Sequence, residues 1–128
     1  MKNLLRRLGF GIVLWAVPYA AAMPMLPILH SAPLVFKALE VSISVLTMSV
    51  LVVLYFRKID RGFLRESILV AATWMIVNWA LDMVALLPFT HQSLPRYFME
   101  IGIEYLASGA FVIATGYLLG FKLDPKQR

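Results

Sequence analysis

No cysteine occurs among the 128 residues, which excludes disulfides, thiolate metal ligands and cysteine nucleophiles. Acid is scarce as well: seven Asp and Glu stand against twelve Lys and Arg, and none precedes Glu40. Histidine is limited to His30 and His91. Neither belongs to an E-x-x-H or H-x-x-x-H spacing, so no metal site is expected, and neither lies inside an apolar run where it would ligate haem. There is no G-x-S-x-G elbow, phosphate loop or dinucleotide fingerprint. The expectation is a non-enzymatic chain with no cofactor.

What the chain has instead is apolar length. Hydrophobic residues make up 61% of it and mean hydropathy is +0.80, where a soluble domain is nearer half apolar. The excess is gathered into four runs, at about 8–29, 34–56, 64–87 and 96–121. Each is long enough for a helix to cross a bilayer core of about 30 Å. The expected fold is therefore all-α, a single transmembrane domain forming a four-helix bundle in the cell membrane. The connections are too short to hold a separate soluble domain. A net charge of +5 does not point to nucleic acid, because the basic residues sit at the ends of the runs.

Ten of the twelve Lys and Arg fall in the N-terminal tail, the loop around Arg57–Arg65 and the C-terminal tail, leaving only Lys37 and Arg96 on the other side. Under the positive-inside rule both termini are cytoplasmic, and the turns around His30 and His91 face outward. The first run carries Pro18, Pro24 and Pro27, so its second half is expected to be kinked or partly unwound. Its basic start and Ala20-Ala21-Ala22 also resemble a secretory signal with a cleavage site. The expectation is that it is retained as a membrane helix.

The acids divide into two sets. Asp60, Glu66 and Asp124 lie beside basic residues at the cytoplasmic ends, where they call for no special explanation. Glu40, Asp82, Glu100 and Glu104 fall inside the outer halves of the runs. At about 1.5 Å per residue Asp82, Glu40 and Glu104 lie roughly 8–12 Å below the outer helix ends, so all four acids are expected to meet at one level, with Lys37, Arg96, His30 and His91 nearer the surface. Ionisable groups at such depth face partners or water rather than lipid. Asn78 and Asp82 share a helix face, as do Glu100, Glu104 and Ser108, and Lys37, Glu40, Ser44 and Thr47 form a third polar edge.

Two arrangements satisfy these edges. In one, an outward-facing acidic cavity binds a cation or proton at Glu40, Asp82, Glu100 and Glu104, tuned by Asn78 and Lys37, in an oligomeric channel or transporter. In the other the groups pair off: Lys37 with Glu40 or Glu104, Arg96 with Glu100, and Asn78 with Asp82. The chain is then a non-catalytic accessory or assembly subunit. Its partners in either case are the lipid bilayer and further copies of itself or a larger membrane complex. Finally, Gly102, Gly109 and Gly116 recur at heptad spacing, and Gly116 with Gly120 forms G-x-x-x-G. Such a stripe lets another backbone approach closely. Ser42 and Ser49 on the second run share the spacing and are a candidate partner surface.

Overall fold

A computed structural model describes residues 2–123; the expected tail charges Asp124, Lys126 and Arg128 lie outside them. The chain is helical, with α1 (Lys2–Ser31), α2 (Pro33–Phe56), α3 (Phe63–Ala85), the single turns α4 (Leu87–Thr90) and α5 (Leu94–Tyr97), a π-helical turn (Phe98–Gly102) and α6 (Glu104–Leu123). The helices α1, α2, α3 and α6 are long and apolar enough to cross a membrane.

Local chemistry sets the breaks. Ala32 alone separates α1 from α2, and Pro33 opens α2 at a position where a missing N–H costs nothing. Gly62 caps α3 in the left-handed conformation at φ 68°, which a residue without Cβ adopts freely. Pro88 opens α4, His91 ends it at φ 52°, and Pro95 opens α5.

Two expectations about these elements change. The helix α1 runs unbroken to Ser31 through Pro18, Pro24 and Pro27, so the expected unwinding does not occur. Of the three prolines only Pro18 is buried. The fourth run is not one helix. Ile103 N–H donates to Phe98 O at 2.9 Å across five residues, and this wide turn holds one residue more than an α-helical turn would.

Packing follows the order α2–α1–α3–α6, with α2 and α6 only lightly in touch. The apolar core lies toward the basic end. It joins Leu14 of α1, Met48, Leu51, Val52, Tyr55 and Phe56 of α2, Phe63, Val70, Ala71 and Trp74 of α3, and Val112 of α6. Gly102, Gly109, Gly116 and Gly120 are all buried, and within the stripe Gly109 and Gly116 face α3, not Ser42 and Ser49. A Cβ at Gly109 would meet Met75 Sδ at 3.1 Å, and one at Gly116 would overlap Ser67 and stand 2.8 Å from Phe63 O. The hydroxyls of Ser42 and Ser49 instead bond back to Ala38 O and Val45 O of their own helix. Close backbone approach between α3 and α6 is thus what these small residues supply.

Candidate functional site

At the end of the bundle away from the core, Asp82 is the centre of a buried polar cluster. It projects from the last turns of α3, is only 3% exposed, and accepts three hydrogen bonds. Trp15 Nε1 of α1 donates to Oδ1 at 2.7 Å. The Tyr97 hydroxyl of α5 donates to Oδ2 at 2.6 Å, and that of Tyr105 on α6 to the same oxygen at 2.8 Å. One carboxylate therefore ties four elements together. Its partners are neutral: among the described residues no Lys, Arg or His forms an ion pair with it. Three donors thus converge on one carboxylate without a second charge beside it.

The π-helical turn is what brings both tyrosines to Asp82. In a regular helix residues seven apart lie nearly in phase; with one residue inserted, Tyr97 and Tyr105, eight apart, take that relation. Glu100 lies within this turn. It pairs with Arg96 at 2.8 Å and accepts from Gln92 at 2.9 Å, with 45% of its side chain exposed. Glu100 is thus held by Arg96 and Gln92, whereas Glu104 is held by Lys37 of α2.

Glu40 and Glu104 are joined by one cation. Lys37 Nζ lies 2.7 Å from Glu104 and 3.5 Å from Glu40, so it bridges α2 to α6 where those helices otherwise barely touch. All three side chains are 30–39% exposed. Asn78 does not contact Asp82 through a hydrogen bond. Its amide N–H₂ donates to Trp74 O at 2.7 Å and to Gly11 O at 3.3 Å, and so cross-links α3 to the backbone of α1.

Lys37, expected to pair with Glu40 or Glu104, meets both, the expected pair of Arg96 with Glu100 is present, and the pairing of Asn78 with Asp82 is replaced by backbone contacts. A void of about 10 Å³ near Asn78, Tyr105 and Ser108, and an open cleft at the basic end, are the best-formed cavities. Neither is lined by Glu40, Asp82, Glu100 or Glu104. Direct contacts engage the side chains of the polar edges. Gln92 Oε1 is the one buried side-chain oxygen or nitrogen without a hydrogen bond among the described residues. No group of three or more metal-ligating side chains gathers among them.

A second polar cluster at the basic end overturns the bland reading of Glu66. Arg7 of α1 grips its carboxylate with two bonds, Nε at 3.0 Å and Nη2 at 2.8 Å, and the two side chains are only 14% and 12% exposed. The Tyr55 hydroxyl of α2 donates to Glu66, while Arg6 donates to the Tyr55 carbonyl. Arg6 also lies 4.3 Å over the Tyr55 ring, a cation–π contact. Three helices meet on one ion pair.

The residues that sequence reasoning missed are thus Trp15, Tyr97 and Tyr105 around Asp82, and Arg7, Tyr55 and Glu66 at the opposite end. Which way these side chains face depends on how the helices pack, and the sequence does not carry that. Compared with models of protein families, with curated proteins and with solved structures, the chain finds no match.

Proposed function

We propose that the chain is a bilayer-embedded, non-catalytic bundle that serves as an accessory or assembly subunit of a membrane complex, either with copies of itself or with other helical proteins. One observation carries the reading: the carboxylates within the described helices are engaged by contacts inside the chain. Lys37 holds Glu40 and Glu104, Arg96 holds Glu100, Arg7 holds Glu66, and neutral donors fill Asp82. Such bonding acts as a lock between helices in a medium where apolar surface alone supplies little association. The outward faces are left apolar, as along α2 at Leu34, Val35, Leu46, Val50 and Val53. In this reading the basic end is cytoplasmic, with both termini inside, and the membrane is the cell membrane.

A second reading, proton or cation handling, draws on the absence of a counter-cation at Asp82 among the described residues. Flux separates the two. Protein reconstituted in liposomes is expected to pass neither protons nor alkali cations above the level of empty vesicles. In-membrane cross-linking is expected to capture defined neighbours at α2. Flux that disappears in D82N, with no cross-linked species, would overturn the assembly reading in favour of transport.

A further inference from the structure

We infer that the open cleft where α1 and α3 begin receives the phosphate headgroup of an acidic phospholipid. The cleft, about 380 Å³, is lined by Asn3 and Arg7 of α1, by Arg61 and Gly62 of the loop, and by Arg65, Glu66 and Leu69 of α3. Its volume falls within the range of about 300–1,000 Å³ typical of small-ligand sites. Three arginines against one glutamate leave it a net charge of +2. Arg7 is already committed to Glu66 through two bonds. Arg61 and Arg65 are exposed and form no ion pair among the described residues. The left-handed turn at Gly62 carries the chain into α3 so that both guanidinium groups line the same cleft.

Guanidinium groups match the oxygens of a phosphate in pairs of parallel bonds, and unpaired ones at a basic helix end are the chemistry such a headgroup needs. Polarity changes along the cleft in the order a lipid requires. Leu69 lies one helical turn deeper than Arg65 and, with Ile68, is substantially exposed, which offers an acyl chain an apolar surface beneath the headgroup. Basic pockets between helices at the membrane surface are suited to anionic lipids. The inference rests on the bilayer-embedded reading, because a free phosphate ion would have no use for the apolar floor.

The test is lipid retention by the full chain in mild detergent, read by native mass spectrometry during titration with phosphatidylglycerol or phosphatidylcholine. Phosphatidylglycerol is expected to bind in preference. R61Q/R65Q is expected to weaken its binding about 30-fold, at about fivefold per basic residue near an anionic surface. R57Q/K58Q removes the same charge outside the cleft and is expected to change it less than about threefold. R61K/R65K, which keeps charge but not paired bonds, should fall between. It also keeps the test decisive should the glutamine variant lose helicity by circular dichroism.

Equal losses in R61Q/R65Q and R57Q/K58Q, or equal affinity for the two lipids, would overturn the inference in favour of a diffuse surface attraction. Inorganic phosphate added alone is expected not to bind; binding as tight as that of phosphatidylglycerol would overturn the lipid source. Flotation of the protein with liposomes reports insertion separately. A chain that floats yet shows no lipid preference refutes this inference alone, whereas one that fails to float refutes the embedded reading on which it rests.

Discussion

Replacing Asp82 with alanine removes the acceptor of three hydrogen bonds at once, and the structure sets the size of the effect. Asp82 is buried, and its donors come from α1, α5 and α6, so the loss is felt by every element around α3. Side-chain hydrogen bonds between membrane helices are worth on average about 0.6 kcal/mol and at most about 1.7 kcal/mol each. Three of them place the cost of D82A at about 2–5 kcal/mol. D82N discriminates further. An amide keeps one oxygen, which can stay on Trp15, whose indole N–H can only donate. The new N–H₂ group then faces Tyr97 and Tyr105, whose hydroxyls can accept as well as donate. D82N is therefore expected to cost about half as much as D82A, and W15F should add to it little more than the one bond that remains. Unfolding in graded SDS, followed by far-ultraviolet circular dichroism, measures all three, since W15F removes the tryptophan at the cluster. A D82A variant within about 0.5 kcal/mol of the parent would refute the locking role of the cluster. A D82N variant as unstable as D82A would show that charge, not bond count, is what the site requires.

The glycine stripe makes a graded prediction: G116A is expected to lower the melting temperature much more than G109A. The new Cβ at position 116 meets Ser67 and the fixed Phe63 carbonyl, whereas at 109 it meets the flexible Met75 thioether. S67G should restore part of the G116A loss in a thermal melt, and no restoration would place the clash elsewhere. The ion pairs differ by burial. E66Q weakens the largely covered contact with Arg7 and should cost about 1.5–3 kcal/mol, while E100Q removes a pair whose side chains are 66% and 45% exposed and should cost under about 1 kcal/mol. SDS unfolding of the two variants gives the comparison, and equal costs would contradict it. Topology is testable without background because the chain has no cysteine. In intact cells S93C should react with an impermeant maleimide and D60C should not, and the reverse pattern would invert the orientation.

The α2 and α3 boundaries were legible from hydropathy and turn residues because they depend on local chemistry. Pro33 and Gly62 mark the helix starts in the sequence itself, and the observed α2 begins within one residue of the expected run. The pairings of Lys37 with Glu40 and of Arg96 with Glu100 were equally accessible, being three and four residues apart on one helix face. The π-helical turn at Phe98–Gly102 was not, because one inserted residue leaves hydropathy unchanged while rotating everything on one side of it relative to the other.

Sequence by itself determined the asymmetry of the molecule: no cysteine, an acid-free first helix, basic residues at one end and Glu40, Asp82 and Glu104 toward the other. Those are properties of position along a helix, which a period of 3.6 residues and a rise of about 1.5 Å convert directly into depth. Only the tertiary structure decided azimuth, the direction in which each residue faces. It directed Gly109 and Gly116 of the glycine stripe to α3 rather than to α2, and gave Asp82 two tyrosines and a tryptophan in place of a cation. It also made Glu66, unremarked among basic neighbours in the sequence, the centre of a three-helix ion pair. Depth is a local quantity, whereas azimuth is set jointly by all the helices that pack together.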